Sequence, residues 1–279
     1  MARSKIFLFG AIVTALLTGC HRGGSPPVTG TPPLRVCADP NNLPFTNNRG
    51  EGFENKIVAL IAVQLKQPLE YVWWAQRRGF VRNALAAGLC DVIPGIATSV
   101  EGLLPTDPYY RSSYVFVGRT PHPPWSFDDP ALRRMRLGVQ IIGDDYANTP
   151  PAHELARRGI VDVKGYRVTG DYLVSNGPAR IVGAVADGEI DLAVAWGPMA
   201  GYFAVRQTVP LYLSPIADRR DLPESPLDYD IGMGVRKGDF KLKAELDRRL
   251  KQNRVEIAGI LREFRVPVSA PIGPGRGKD

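Results

Sequence analysis

Leu34-Arg35-Val36-Cys37-Ala38-Asp39-Pro40-Asn41-Asn42-Leu43-Pro44-Phe45, continuing through Gly52-Phe53-Glu54 to Leu65, is the stretch that decides how this chain reads. Leu34 to Ala38 is a short apolar strand. A loop crowded with Asp39, Pro40, Asn41, Asn42, Pro44 and Asn47 follows, and a helix opens near Gly52-Phe53. An open α/β sheet binds ligands just beyond the carboxyl ends of its strands, facing helix N-termini. A polar, Asn-rich loop in that position is a candidate site. A surface turn built from good turn formers is the plainer alternative.

Outward from this stretch, strand and helix signals alternate. Ile57, Leu60, Ile61 and Leu65 form one stripe of a helix over 53–67. A strand over 69–73 follows, then a helix around 80–87 stopped by Gly88, and a buried strand over 90–93. Tyr114 to Val117 is a β-branched, aromatic strand, and Pro121, Pro123, Pro124 and Pro130 then interrupt the pattern. A second unit begins with strand 136–140. It continues with helix 151–158, strand 162–166, helix 178–187, strand 191–195 and a last strand over 209–213. A strand over 230–235 and a helix over 241–264 close the chain, the latter carrying Leu242, Leu246, Leu250, Ile257, Leu261 and Phe264 at helical spacing. Two βαβ units joined by two crossings, near Gly118 and Ser214, predict a two-lobed protein with a cleft and hinge closure around a ligand.

The 279 residues, 44% hydrophobic and 23% charged, have a globular composition. Arg3 and Lys5 precede an apolar run, Ile6 to Leu17, too short to span a bilayer as an ordinary helix. That run ends in Leu17-Thr18-Gly19-Cys20, which resembles the bacterial lipobox, so Cys20 is the expected lipidation site. An ordinary signal peptide with an incidental Cys is the alternative. The expected organisation is a signal peptide over 1–19, a flexible tether over 20–33 and a first lobe over 34–118. A second lobe covers 119–213, a return to the first covers 214–267, and a tail covers 268–279. Export leaves Cys37 and Cys90 in an oxidising space, where a disulfide is possible if their strands are neighbours. Two buried thiols are the alternative. Loss of Arg3 and Lys5 lowers the formal net charge of +7 to about +5. That mild basicity suits contact with an acidic protein or an anionic lipid surface. It is spread along the chain without a nucleic-acid-binding motif, so no nucleic acid partner is expected.

The chain resembles type II periplasmic solute-binding proteins over roughly Leu34 to Pro267. The resemblance rests on Asp107-Pro108-Tyr109-Tyr110 before the 114–117 strand, on Gly188-Glu189-Ile190-Asp191-Leu192-Ala193-Val194, and on Gly232-Met233-Gly234-Val235-Arg236-Lys237-Gly238-Asp239. It implies an α/β fold of two lobes, each a mixed, mainly parallel sheet flanked by helices, with two hinge crossings. A closer resemblance lies in Leu34 to Phe45, in Trp73-Trp74-Ala75-Gln76-Arg77-Arg78-Gly79-Phe80-Val81-Arg82-Asn83, and in Gly88-Leu89-Cys90-Asp91-Val92. These segments are similar to the J-type proteins (MxaJ/XoxJ type) encoded alongside quinoprotein methanol dehydrogenases. That resemblance implies a periplasmic accessory role in methanol oxidation, through contact with or maturation of the dehydrogenase. The alternative is a receptor that delivers a small solute to an ABC permease. A lipobox departs from the simply secreted form of that family and implies membrane attachment through lipid alone.

Amino-acid receptors of this fold usually hold the ligand carboxylate with an Arg in a Thr-x-x-Arg segment; here the segment is Thr98-Ser99-Val100-Glu101. They usually hold the ammonium with an Asp after the strand that here runs into Trp196-Gly197-Pro198. Both charge partners are missing, so an ordinary amino acid is not the expected ligand. The candidate cleft residues are Asp39, Asn41, Asn42 and Phe45 from the first loop, and Trp74, Arg78 and Phe80 from the aromatic-basic cluster. Tyr110 and Arg111 are added from the crossover, with Gln140, Asp144, Asp145, Tyr146 and Trp196 from the second lobe. Trp73 and Phe80 also read as core, and Asp144-Asp145 as a helix cap. Three histidines, His21, His122 and His153, complete no Ser-His-Asp, HExxH or phosphate-loop pattern. Neither enzyme activity, a cofactor nor a metal is expected. Asp39 and Glu54 are the carboxylates a cleft enzyme would use, although Glu54 also suits the start of a helix.

Overall fold

The computed structural model describes residues 30–121, 124–142, 148–168, 177–216 and 226–269. The lipobox-like segment with Cys20, the linker residue His122 and the Asp144-Asp145-Tyr146 segment lie outside the described residues.

Strand β1 (Leu34–Ala38) is central to the first half of the sheet. The chain then forms a short hairpin, β2 (Asn41–Asn42) with β3 (Thr46–Asn47), and helix α1 (Phe53–Leu65). The hairpin seats the helix. Phe53 N–H donates to Pro44 O at 2.8 Å and Glu54 N–H to Phe45 O at 3.0 Å, so two donors left over at the helix start find backbone acceptors. The side-chain oxygen of Asn55 accepts from Asn47 and Gly52 N–H at 2.9 and 3.1 Å. Gly52 is required there, because a Cβ would lie 2.0 Å from Phe45 O.

β4 (Leu69–Trp73) and β5 (Val92–Ala97) flank β1 in parallel. Between them the expected helix over 80–87 is one π-helical turn, Val81–Leu85. β6 (Leu104–Pro105) is a short edge piece, and β7 (Tyr110–Gly118) is long. In the second half β8 (Leu137–Ile141) pairs in parallel with β9 (Val163–Arg167) and β10 (Leu192–Trp196), with β7 antiparallel to β10. Helices α2 (Pro150–Arg157), α3 (Arg180–Ala186) and α4 (Gly197–Ala204) accompany these strands. The last expected strand is shifted: β11 is Tyr212–Pro215, since Pro210 has no N–H to offer a ladder. β12 (Asp228–Val235) then returns between β5 and β7.

The crossing on β7 falls earlier than Gly118. Residues Tyr110 to Ser113 pair with β12, while Tyr114 to Gly118 pair with β10. One strand therefore belongs to both halves, and the path β4-β1-β5-β12-β7-β10-β8-β9 is continuous. The expected final helix is two: α5 (Phe240–Gln252) and α6 (Arg254–Glu263), separated at Asn253, whose amide donates back to Arg249 O at 2.8 Å.

The first core joins Phe53, Ile57, Val58 and Ile61 of α1 to Leu246, Leu250, Ile257, Leu261 and Phe264 of α5 and α6. The periodic leucines and isoleucines read from the sequence thus find one another. Two further clusters lie in the second half, one around Val117, Ile181, Val185 and Ala193 and the other around Phe116, Trp125, Leu132 and Leu155. Leu, Ile and Phe side chains buried in this way contribute about 1.5–3 kcal/mol each.

Cys37 and Cys90 are fully buried and joined as a disulfide, with Cα atoms 5.5 Å apart. Neighbouring strands make this possible: Val36 pairs with Val92, and Asp91 N–H donates to Arg35 O at 2.8 Å. Beside the bridge, the Asp91 carboxylate takes Arg35 at 2.7 Å and Arg236 at 3.1 Å. Burial raises the Asp91 pKa, but the bonds from Arg35 and Arg236 outweigh it and hold the group below its ordinary value.

The bridge closes a loop with a sequence separation of 53, for which chain entropy gives up to about 4 kcal/mol and typical measurements give about 2–4 kcal/mol. Replacing both Cys37 and Cys90 by Ala is expected to lower the guanidinium unfolding midpoint by a matching amount. Reductant should shift the parent protein alone.

Candidate functional site: a cleft at the shared strand

A cavity of about 1400 Å³ opens where β7 changes partners, lined from both halves of the sheet. Strand alternation decides which side chains reach it. On β7, Tyr110 and Tyr114 line the cavity; Trp196 at the end of β10, and Tyr229 and Ile231 on β12, complete its aromatic floor. The Trp196 ring meets Tyr114 and Tyr229 edge-on, with centroids 5.2 and 5.8 Å away. Burial pushes the Tyr114 hydroxyl far above its ordinary range, so it stays protonated and polar without carrying charge.

The first loop supplies Asp39, Asn42 and Phe45. Asp39 is a clamp. Its two carboxylate oxygens accept N–H bonds from Asn41 and Gln76, both at 2.8 Å, fastening the loop after β1 to the segment after β4. Asn42 donates its amide to the Gln76 side chain at 3.1 Å. Arg78 lines the wall with Arg77, and Gln140 lines it from β8. Gln140 is buried, and its side-chain oxygen accepts the backbone N–H of Trp196 at 2.7 Å, which fixes the chain at the start of α4.

Other sequence candidates lie elsewhere. Asn41 is half-buried in the β2–β3 hairpin, paired with Asn47, and does not line the cavity. Arg111 is one residue out of phase with Tyr110 and Tyr114. It ion-pairs with Asp230 at 3.0 Å and Asp228 at 3.6 Å instead of facing the cavity. Phe80 is buried in the cluster around the disulfide with Leu85, Ile93 and Leu103, because the π-helical turn folds it inward. Trp74 lies just beyond β4, exposed and away from the cavity lining; its N–H donates to Ala38 O at 2.9 Å.

The sequence candidates also omitted residues that the fold brings in. Lys164, Tyr166 and Arg167 come from β9, Arg180 from the start of α3, and Gly95 to Ala97 from β5. A β-strand exposing alternate basic and aromatic residues was the available signal for β9. Glu54 also lines the cavity, although its carboxyl belongs to a residue only 6% exposed. It has no hydrogen bond or ion pair among the described residues, and burial pushes its pKa up to about 8. At Gly95 a Cβ would lie 1.7 Å from Glu54 Oε1, so the glycine makes the seat for this carboxyl. The arrangement can bind and orient a small molecule or a projecting side chain. Among the described residues no group of His, Cys, Asp and Glu is placed to hold a metal ion.

No family model matches the chain. It is similar to protein MoxJ of Methylorubrum extorquens, with 32% identity over 246 residues, covering 84% of this chain and 81% of that protein. It is similar to the crystal structure of the periplasmic binding protein XoxJ from Methylobacterium extorquens AM1, with 36% identity and a TM-score of 0.69. That match covers 85% of this chain and all (100%) of the other. An ancestral cationic amino acid solute binding protein aligns with a TM-score of 0.64 at 20% identity, over 83% of this chain and 95% of its own, a likeness of fold alone.

The raised pKa of Glu54 has a definite sign in stability. The folded state holds a proton that the unfolded chain has lost above its ordinary value of 4.5, so this group's contribution is full below that value. It falls as pH rises and is gone above about 8. Glu54→Gln is expected to leave stability at pH 4 nearly unchanged and to raise it at pH 8.5 by roughly 4–5 kcal/mol, the linkage value for a group whose pKa rises from 4.5 to about 8, as measured by guanidinium unfolding at both pH values.

Proposed function

We propose, from the premise that this chain belongs to the MoxJ/XoxJ/MxaJ family of periplasmic binding proteins, that it is a non-catalytic accessory factor of a periplasmic quinoprotein methanol or alcohol dehydrogenase. Its fold is the two-lobed, mixed α/β fold of type II periplasmic binding proteins. On this reading the protein contacts the dehydrogenase or assists its maturation outside the cytoplasm, held to a membrane by lipid on Cys20.

The observation that carries the reading is a binding-protein cleft without the charge pair of an amino-acid receptor. Val100 is the residue of the Thr98–Glu101 segment that lines the cavity, while Glu101 lines a smaller depression beside Phe80. At the other position Trp196 and Gly197 stand where a carboxylate is needed. Gly197 leaves no space for one, since a Cβ there would be 2.5 Å from Ser113 O. An ammonium–carboxylate ligand would therefore lose its charge-assisted bonds. The cleft volume and aromatic floor favour a second reading, a receptor for a small solute other than an ordinary amino acid, which hands that solute to an ABC permease.

The accessory reading predicts that a clean deletion strain loses most of its periplasmic alcohol oxidation and regains it with the intact gene. It also predicts that the tagged protein co-purifies with the dehydrogenase. Normal alcohol oxidation in the deletion strain, with no dehydrogenase recovered, would sink it. The receptor reading predicts instead that a solute raises the melting temperature by linkage.

A further inference from the structure

We propose that the cleft selects a small solute bearing carboxylate groups, with Glu54 acting as a neutral hydrogen-bond donor on the cleft floor and Arg180 among the counter-cations of the opposite wall. This deepens, and rests on, the reading of the cleft as a ligand site.

Among the described residues Glu54 is an unpartnered polar side chain in a built seat. It opens α1, lines the cavity and packs against Gly95, where any side chain would collide with its oxygens. The helix start does not satisfy it as an anion, because nearby backbone donors are committed: Phe53 N–H to Pro44 O, Glu54 N–H to Phe45 O and Lys56 N–H to Gly52 O. The titratable groups that sense its charge are Tyr71 of β4 and Tyr109 and Tyr110 at the start of β7, all with hydroxyl pKa values raised. Tyr109 spends its hydroxyl on Pro94 O at 2.8 Å. β5 presents glycine to it, and the helices packed on α1 keep charges in pairs such as Lys56–Glu263 and Lys243–Asp247. Among the described residues no cation faces Glu54, so the buried group is held as the acid, which donates a hydrogen bond that a carboxylate cannot.

The rest of the wall is basic. Arg77 and Arg78 stand on the first half, and Lys164, Arg167 and Arg180 on the second. Lys164 is paired with Glu189, while Arg77, Arg78 and Arg167 have interactions of their own. Arg180 is exposed and makes no hydrogen bond or ion pair among the described residues. The other acidic residue of the lining is Asp39, whose oxygens are taken by backbone N–H groups. With Glu54 neutral, the cavity carries an excess of positive charge that draws anions and repels cations. A ligand oxygen accepts the Glu54 O–H while a carboxylate meets the basic wall. Loss of the Glu54 proton replaces that bond with repulsion.

The test is isothermal calorimetry on the full chain with citrate, succinate and benzoate, using choline and putrescine as cationic comparators, at pH 6, 7, 8 and 9. At least one carboxylate should bind, with affinity falling about tenfold from pH 7 to pH 9, the ratio of protonated fractions for a group titrating near 8. Glu54→Gln, which keeps a neutral donor, should bind with a flat pH profile, and Arg180→Glu should weaken binding at every pH. Gly95→Ala, which displaces the carboxyl, should weaken binding at pH 7 while a cooperative thermal transition confirms that it is folded. Carboxylate binding indifferent to pH in the parent protein, or cation binding that tightens as pH rises, overturns the role of Glu54 and leaves the cleft as a ligand site. Absence of binding by every probe, anionic and cationic, overturns the ligand-site reading and the inference together.

Discussion

The partner exchange along β7 is the constraint on which the rest of this structure depends. A strand that pairs with β12 through Ser113 and with β10 from Tyr114 onward must serve two sheet halves at once. The seam gathers aromatic side chains from three strands, Tyr110 and Tyr114 on β7, Trp196 on β10 and Tyr229 on β12, into one floor. Arg111, out of phase with those tyrosines, staples β7 to β12 through Asp228 and Asp230. The same short segment therefore supplies both the site and its support, because successive side chains of a strand point to opposite faces.

Charge is handled differently at the two acidic residues of the cleft. Two backbone N–H groups meet the oxygens of Asp39, and these bonds fix the loop that forms one wall. Among the described residues Glu54 receives no such bonds, so burial works against its charge and favours the acid. A third carboxylate, Asp91, shows what compensation achieves outside the cleft. With Arg35 and Arg236 beside it, its pKa falls below the ordinary value despite burial. Together with the adjacent disulfide it ties β1, β5 and the end of β12 into a rigid back for the first half.

Much of this was legible along the chain. The stripe of Ile57 and Ile61 and the one running from Leu246 to Phe264 each marked a helix face, and their packing follows from the need to bury both. Gly88 marked a stop, and the apolar run beginning at Leu34 marked the central strand. Local pattern failed where tertiary context overrides it. The 80–87 segment has helical composition, yet its burial against the disulfide cluster leaves one π-helical turn. Asn253 divides a continuous periodic pattern by bonding its side chain to the preceding turn. Arg111 and Phe80 have the chemistry of site residues but the wrong phase or depth.

By itself, then, the sequence determined the alternation of strands and helices, the apolar faces and the family resemblance, because each is written in residue type and spacing along a local stretch. Only the tertiary structure decided which face of β7 meets the cleft, that Asp39 is a structural clamp, and that Glu54 is seated against Gly95. It also brought Lys164, Arg167 and Arg180 to the opposite wall. Those facts depend on strand phase, burial and contacts between residues far apart in the chain. A carboxyl's charge state is set by what surrounds it in space, and its neighbours in sequence do not supply that information.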